Sequence, residues 1–320
     1  MKFHSILMVY SSGMDTLNCI ACFVHSAKAG SFAAAARHLG LTPAAVGKNV
    51  ARLEAELGVR LFQRSTRSLS LTESGEQFLS EAAGGLHSLE AAMANLANAR
   101  GQPAGVLRVS MGQSFGRHHV VPLLDEFLRR YPAVRPDWHF DDRPVDLIVE
   151  GFDAAIGGGF ELPPRLVART LAPAHRVLLA SPGYLECHGE PNSPAQLGEH
   201  EGILIRSPQT GRIRPWMLRN RQGLPAAIDL RLRMSFSDPE AACQAAQMDL
   251  GITLVSTAHA LPYLDSGRLC RVLPDWYVDA GFISIYFAAQ KLLPQKTRVF
   301  VDFLVEQFRS QGLDQRFSAL

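Results

Sequence analysis

The stretch "LTPAAVGKNVARLE", residues 41–54, combines the apolar spacing of a helix with an unusual opposite face. Thr42 is a suitable N-cap, Pro43 fits the first helical position, and Gly58 ends the pattern. The inward stripe consists of Val46, Val50, Leu53 and Leu57. The outward face consists of Thr42, Ala44, Ala45, Lys48, Asn49 and Arg52. Its short residues admit a phosphate backbone, and its amide and cationic donors suit the base edges of a DNA major groove.

Two further helices are predicted immediately before this one. The first begins near Asp15, carries apolar residues at helical spacing and stops at Gly30. Ser31 is a good N-cap for the second, "FAAAARHL" at 32–39, and Gly40 supplies a tight turn into the third. This succession predicts a helix-turn-helix in which the third helix binds DNA and Ser31 belongs to the same interface. A merely solvated helix face is the alternative interpretation.

The segment "VRLFQRSTRSLSLT", residues 59–72, alternates apolar and polar residues on both sides of "RSTR" and predicts a β-hairpin wing. Residues 60–67 contain arginines and no acid, although the whole chain carries a net charge of only +2. A basic surface on an otherwise nearly neutral chain favours a polyanionic partner. The tip residues expected to contact phosphates or the minor groove are Arg64, Ser65, Thr66 and Arg67.

Residues 72–100 predict one long helix with a coiled-coil seam. Its apolar positions alternate three- and four-residue steps, and they are Leu79, Ala82, Leu86, Leu89, Met93 and Leu96. Such a helix extends roughly 40 Å, which is too far to pack along a small winged domain alone. The sequence therefore predicts a two-fold homodimer that presents two recognition helices to inverted-repeat DNA. Packing against the chain's own C-terminal domain is the alternative.

Residues 31–75 resemble the LysR-type transcriptional regulators. The resemblance rests on the spaced elements "S-F-x-x-A-A-x-x-L", "L-E-x-x-L-G-x-x-L-F-x-R" and "L-T-x-x-G". It implies a sequence-specific DNA-binding regulator that assembles as a homodimer or, more often, as a homotetramer, with contact to RNA polymerase left open. Thr42 stands where the family usually has Ser, and it retains the oxygen needed for capping.

After a Pro/Gly hinge at 101–105, alternating strand and helix patterns predict an α/β domain over 106–320. Strands are expected near 166–171, 176–180, 202–206 and 229–236, and helices over 116–130, 144–149, 239–247 and 294–309. Motifs such as "D-A-A-I-G" and "A-S-P-G-Y-L" resemble the family's two-lobed effector domain, which is similar to periplasmic binding proteins. Lobe 1 is predicted at about 106–172 and 281–320, and lobe 2 at about 173–280. The whole chain is thus predicted to be α/β, with a mostly α winged helix-turn-helix over 14–71.

A small-molecule effector is expected between the two lobes, beyond the carboxyl ends of the strands. The predicted contact residues are Ser114, Phe115, Gly116, Arg117, Gly157, Gly158, Arg206, Ser237 and Thr253. The first four follow a strand and open a helix, where free N–H groups suit an anion. Arg206 is suited to clamp a carboxylate, or else it forms a surface salt bridge. Gly157 stands where the family often has Arg, and Ser256 where it prefers Pro.

The same region contains a competing motif, since residues 112–116 read G-x-S-x-G. A serine hydrolase would combine Ser114 with Asp238 and His259, which occur in the required chain order. The motif follows the first strand of its domain, whereas a nucleophile elbow normally follows several strands. We therefore expect no enzymatic activity. A C-terminal domain that binds a protein rather than a ligand is the other alternative.

Composition excludes several classes of protein. Hydrophobic residues make up 47% and charged residues 19%, and no apolar run reaches membrane-spanning length, so a cytoplasmic globular protein is expected. The scattered cysteines favour reduced thiols, and Cys19 and Cys22 are interpreted as a buried helix face rather than a metal site. No cofactor and no metal are expected. Residues 1–13 are interpreted as a tail, with Met14 as a second possible start of translation.

Overall fold

A computed structural model of the chain describes residues 13–64, 69–97, 102–158, 163, 165–207, 210–289 and 293–320. The chain divides into two compact units. The first comprises Met1–Gly101 together with Asp146–Phe152, and the second comprises Gln102–Val145 and Asp153–Leu320. Residues 1–12 of the predicted tail, the wing-tip residues Ser65, Thr66 and Arg67, and Gly101 of the predicted hinge lie outside the described residues.

Three helices form the core of the first unit: α1 (Gly13–Ala29), α2 (Phe32–Leu39) and α3 (Pro43–Leu57). The predicted caps are present, because Ser31 Oγ accepts from Ala34 N at 3.4 Å and Thr42 Oγ1 accepts from Ala45 N at 3.2 Å. Gly40 and Gly58 end their helices in the left-handed region, at φ 66° and 70°. The buried stripe of α3 packs against α1, whose buried face includes Cys19 and Cys22. These elements confirm the predicted helix-turn-helix.

A short hairpin, β1 (Phe62–Arg64) and β2 (Leu69–Leu71), follows α3 as predicted. The buried carboxylate of Glu54 in α3 accepts hydrogen bonds from Leu61 N at 2.8 Å and Phe62 N at 3.1 Å. The hairpin is therefore held to α3 by a buried acid that satisfies two backbone donors.

The next helix, α4 (Glu73–Ala97), begins beneath this hairpin. Thr72 Oγ1 caps it by accepting from Gly75 N at 3.0 Å. A Cβ atom on Gly75 would lie 2.1 Å from the carbonyl oxygen of Leu61, so only glycine fits at this position. The glycine of the "L-T-x-x-G" element is thus explained by the close approach of two backbone segments.

The predicted dimerisation seam of α4 is partly used within the first unit. Leu79 and Leu86 are buried in its core and Ala82 packs against that core, because the helix crosses α1 and meets the short helix Leu147–Glu150. Leu89 is exposed, with 47% of its surface accessible. The side chains of Met93 and Leu96 lie outside the described residues. Leu79 and Leu86 are therefore assigned to the core rather than to a dimer seam.

The second unit is an eleven-stranded sheet covered by helices. Its strands are β3 (Gly105–Met111), β4 (Val134–Phe140), β5 (Ala154–Gly158), β6 (Leu166–Ala180), β7 (Glu201–Ile205), β8 (Met217–Asn220), β9 (Pro225–Ala227), β10 (Arg231–Phe236), β11 (Ile252–Ser256), β12 (Cys270–Val272) and β13 (Trp276–Ala288). Its helices are α5 (Gln113–Phe115), α6 (Leu124–Arg130), α8 (Pro182–His188), α9 (Pro239–Gln247), α10 (Thr257–Asp265), α11 (Gln295–Ser310) and α12 (Leu313–Arg316). The remaining helix of this part of the chain, α7 (Leu147–Glu150), belongs to the first unit. The main strand order is β10-β7-β11-β6-β13-β5-β3-β4.

Two long antiparallel strands, β6 and β13, run through both halves of this sheet. At one end β13 pairs with β5, which belongs with β3 and β4 to a set of parallel strands, and at the other end β6 pairs with β11 and β12. Separate apolar clusters lie under the two ends, as in a two-lobed fold. The lobes are therefore connected by continuous strands rather than by loops.

That continuity corrects the sequence-based prediction of separate strands at 166–171 and 176–180. Pro173 interrupts the pattern because it lacks a backbone donor, yet it pairs with Phe282 beside an irregularity of β13. Gly281, at φ 82°, lies in that irregularity. The bulge on the partner strand allows β6 to continue past its proline.

Other differences are local. The predicted helix at 116–130 is divided into a π-helical turn Gly116–Val120, a 3-10 turn Val121–Leu123 and α6, and it is preceded by the short helix α5. Pro122 lies in the 3-10 turn at the break. The strands β8, β9 and β12 and the helices α8 and α12 were not predicted, since each is short. Helix α10 was not predicted either, and it carries Pro262 in its interior. Within the part of the chain that the structure describes, no helix has both the length and the apolar character needed to cross a membrane.

Candidate DNA interface and ligand site

The outward face of α3 presents cations and small side chains to solvent. Ala44 and Lys48 are exposed, and Ala45 is half-buried on the same side. Arg52 is 44% exposed and its Nε lies 3.0 Å from Glu56 Oε1, one helical turn further on. Such an exposed pair contributes only about 0.3–0.5 kcal/mol, so Arg52 can exchange this partner for a phosphate at little cost.

Asn49 lies differently from the other predicted DNA-binding residues. Its side chain is half-buried between α3 and α1, and Nδ2 donates to Cys22 Sγ at 3.3 Å. One amide hydrogen is thus already used within the protein, while the carbonyl oxygen and the second hydrogen are not engaged by this bond. Ser31 caps α2, and the side chain of Arg64, like the wing tip, lies outside the described residues.

In the second unit, the predicted effector residues after β3 divide into accessible and buried groups. Ser114 is buried and its Oγ is hydrogen-bonded to His118 Nδ1 at 3.2 Å. Phe115 lies in the apolar core, where its ring stacks on Phe308 at 5.9 Å between centroids. A Cβ on Gly116 would lie 2.4 Å from Phe140 Cε1. Phe115 and Gly116 are therefore packing residues, which corrects their predicted role, whereas Arg117 is exposed.

The remaining predicted effector residues also differ in their surroundings. Thr253 is fully buried and donates to the carbonyl of Ile203 at 2.9 Å, so it serves the sheet. A Cβ on Gly158 would lie 2.2 Å from the carbonyl oxygen of Phe282, because β5 and β13 approach closely there. Gly157 is half-buried, and Arg206 and Ser237 are exposed at strand ends. Thr253 and Gly158 are thus explained by packing rather than by ligand contact.

Helix α10 and the turn after β3 meet where the lobes join. The Nε2–H of His119 donates to the carbonyl of Ala258 at 2.9 Å, and burial lowers the pKa of that imidazole. His259 Nδ1 is hydrogen-bonded to Ser256 Oγ at 2.6 Å. Burial lowers the pKa of His259 to about 4, and the charge of Arg176 acts in the same direction. At neutral pH this junction therefore holds a neutral imidazole beside a cation.

The groups required for a hydrolase are not joined by hydrogen bonds. Ser114 pairs with His118, while His259 pairs with Ser256. The carboxylate of Asp238 caps α9 by accepting from Glu240 N at 3.0 Å. Each candidate group is thus engaged elsewhere, and no nucleophile–base–acid relay connects the three.

Sequence inspection missed two residues of the junction, Arg176 and Trp216. Arg176 lies in the second half of β6, within "AHRVLLA", where an arginine directly precedes a run of four apolar residues. That placement is the only signal the sequence offered. Trp216 precedes β8, which was not predicted, so nothing indicated its position.

Comparison with known proteins agrees with this architecture. Residues 17–76 match the family described as bacterial regulatory helix-turn-helix protein, lysR family, and residues 100–309 match the LysR substrate binding domain. The transcriptional regulator DmlR of Escherichia coli K12 is 34% identical over 300 residues, which are 93% of this chain and 96% of DmlR.

Solved structures extend the similarity to the fold. CrgA, a LysR-type transcriptional regulator from Neisseria meningitidis, is 30% identical with a TM-score of 0.56, and the match covers 91% of this chain and 98% of CrgA. Full-length AphB, a virulence activator of Vibrio cholerae, is 26% identical with a TM-score of 0.59, and the match covers 92% and 98% of the two chains. The similarity therefore includes both units of the protein.

Proposed function

The chain belongs to the LysR-type transcriptional regulators, and from that premise we propose that α3 is the helix that reads its operator. Members of this family are regulators with a DNA-binding helix-turn-helix and an effector-binding domain, and they are not enzymes. The observation that carries the proposal is the exposed cationic face of α3, held by two satisfied N-caps and by the buried Glu54. A DNA-binding regulator acts in the cytoplasm, where we expect this protein.

Within this interface, Lys48 and Arg52 bind phosphate or guanine, and Ala44 and Ala45 allow the helix to approach the groove floor. Asn49 contacts a base through the amide atoms that Cys22 does not engage, with adenine as the best match. The wing residues Arg64, Ser65, Thr66 and Arg67 add contacts that carry affinity rather than sequence information.

Assembly is the second part of the proposal. The exposed Leu89 lies in the part of α4 that follows the residues buried in the first unit. We infer that the second half of this helix pairs with a copy of itself, which gives a homodimer on inverted-repeat DNA and allows a tetramer assembled from two dimers. Leu89→Glu is expected to shift the sedimentation profile toward monomer. RNA polymerase is a further partner if the regulator activates transcription.

The effector binds where the two lobes of the second unit join. Ser114 and Arg117 lie on one lobe, and Ser237 and the helix that carries His259 lie on the other. A ligand that contacts both lobes favours one arrangement of them, and this shifts the population of DNA-binding states.

The test is selection of DNA sequences by the purified full-length protein, followed by fluorescence anisotropy on the selected site. Lys48→Ala and Arg52→Gln are each expected to reduce affinity by about tenfold or more and to lower the dependence on salt. Arg298→Gln, an exposed cation of α11, is the matched control. A wild-type protein without any preference among DNA sequences at moderate salt contradicts the proposal.

A further inference from the structure

Arg176 is a partly buried cation that the sheet leaves without a polar partner. Its Nε is buried and makes no hydrogen bond, and no carboxylate of a described residue pairs with its guanidinium. The guanidinium lies over the ring of Trp216, with 4.5 Å between Cζ and the ring centroid. A cation–π contact offsets part of the cost of removing this charge from water, but it satisfies none of the N–H donors.

The neighbouring charge increases that cost. Arg214 Cζ lies 4.2 Å from the same Trp216 ring centroid, so two guanidinium groups share one indole. Burial lowers the pKa of Arg176 to about 10, and the positive charge of Arg214 contributes to the change. Arginine at this value still carries its proton at neutral pH. The protein thus maintains two cations together where a structural ion pair would place an acid.

The position of Arg176 connects this pair to the lobe junction. Residue 176 of β6 pairs with Ser256 of β11 and with Val278 of β13, where β6 passes from one lobe to the other. Ser256 is hydrogen-bonded to His259, whose pKa responds to the charges of both Arg176 and His119. The guanidinium is therefore close to the surfaces on which the two lobes face each other.

We propose that Arg176 binds a carboxylate of the effector, with Arg214 as the second cation and Trp216 as the wall that fixes both guanidinium planes. This inference rests on the proposed effector site at the lobe junction and names its ligand class, a small organic acid. The Nε–H and one Nη–H of an arginine lie parallel and match the two oxygens of a carboxylate. The bound carboxylate thus satisfies the buried donor and neutralises charge that the fold leaves uncompensated.

The geometry also defines which end of the ligand is recognised. Arg176 is partly shielded from solvent whereas Arg214 is exposed, so the carboxylate lies at the inner end and Arg214 is positioned to close over it. His259, which is neutral at pH 7, and Ser256 offer hydrogen bonds for a hydroxyl or carbonyl near that carboxylate. Hydroxy or keto acids are therefore expected to bind more tightly than unsubstituted acids.

Binding is tested with the full-length protein by thermal shift and calorimetry, using a panel of short aliphatic and aromatic carboxylic acids, each beside its primary amide. We expect at least one acid to raise Tm while its amide does not. Arg176→Gln is expected to weaken that binding by about tenfold or more, since hydrogen bonds to charged groups are worth that amount. Arg298→Gln is the matched control. Equal binding of acid and amide, or unchanged binding by Arg176→Gln, overturns the proposal.

A second measurement needs no ligand. If Arg176 is retained for an anion, Arg176→Met removes an uncompensated charge from the ligand-free fold, and its Tm is expected to rise. A structural arginine predicts the opposite, so a lower Tm of Arg176→Met contradicts the assignment, as does a complete absence of acid binding in the panel. Sequence-specific DNA binding by the wild type distinguishes failure of this proposal from failure of the proposed function. If only the assignment of the anion site is wrong, DNA binding persists.

Discussion

The cations of α3 and those of the lobe junction are placed under opposite physical conditions. Lys48 and Arg52 are exposed, and Arg52 already has an acid on its own helix. Arg176 is desolvated and lies beside another arginine instead of an acid. An exposed cation loses little hydration in the folded protein, so it costs little free energy. It suits a DNA duplex, because the dense phosphate charge attracts cations in any orientation. A buried cation without an acidic partner destabilises the fold. It suits a small ligand that supplies the missing negative charge and hydrogen-bond acceptors.

The largest expected effect concerns the scaffold beneath α3. Gly75→Ala introduces a methyl group 2.1 Å from the carbonyl oxygen of Leu61, and a backbone atom cannot move aside without displacing β1. We expect a loss of about 3 kcal/mol in the free energy of unfolding, together with loss of DNA binding. Hydrogen exchange is expected to accelerate in α1–α3 and to remain unchanged in β6.

Gly85→Ala is the control for this prediction. Gly85 lies in the same helix, and a Cβ there meets nothing within 4 Å. It is expected to stabilise α4 slightly, since alanine has the higher helix propensity. If both variants behave alike, the close approach of α4 to Leu61 does not hold the wing in place.

A smaller loss is expected from the buried acid of the recognition helix. Glu54→Gln keeps the shape of the side chain but removes one charged acceptor from the backbone donors of Leu61 and Phe62. We expect a loss of about 2 kcal/mol, measured by urea denaturation. Glu56→Gln, the exposed control on the same helix, is expected to change stability by less than about 0.5 kcal/mol. It also removes the acid that pairs with Arg52 and is expected to strengthen DNA binding, whereas Glu54→Gln weakens it.

The lobe junction is expected to respond to acid in a way that the α3 face does not. His259 is surrounded by Arg176, His119 and His118, which disfavour its protonation, and by Asp238, which favours it, and burial lowers its pKa to about 4. The unfolded imidazole binds a proton near pH 6.5, so the stabilisation is complete above pH 6.5 and is lost as the pH falls from 6.5 to about 4. We expect a decline of about 1 kcal/mol over this interval, because His259 is half-buried and solvent screens part of the effect.

Denaturation of wild type and His259→Gln between pH 4 and pH 7 measures this contribution. The variant is expected to show a shallower dependence on pH than the wild type. Identical slopes would mean that the neutral imidazole does not contribute to acid sensitivity, and that the junction is more open to water than its burial indicates.

Local signals explain why the α3 region was predictable from the sequence. Thr42 and Pro43 mark the beginning of α3 and Gly58 marks its end, and the apolar stripe between them has one period. The burial of Leu79 and Leu86 was not predictable, because a coiled-coil seam and a helix packed on its own domain have the same spacing.

The lobe junction depends on pairing between distant segments. Arg176, Trp216 and His259 come from three parts of the chain, and only the passage of β6 beyond Pro173 brings them together. The bulge that permits this passage is in β13, over a hundred residues away. The sequence showed neither this pairing nor the bulge. It directed attention instead to "GQSFGRHH", which follows a strand and opens a helix, and there Phe115 and Gly116 prove to be core residues.

The smallest change separates stability from function within α3 itself. Gly47 lies in the middle of this helix, and a Cβ there meets nothing within 4 Å. Gly47→Ala is therefore expected to raise the free energy of unfolding by about 0.5 kcal/mol, because glycine is a poor helix former. If the glycine is retained so that DNA can approach α3 closely, the same methyl group lowers affinity for the selected site while Tm rises. Opposite signs in the two measurements support a DNA-facing role for this flank of the helix. If the variant is more stable and its DNA affinity is unchanged, the DNA contact of α3 is confined to the side that bears Lys48 and Arg52. The presence of glycine at position 47 is then not explained by close approach to DNA.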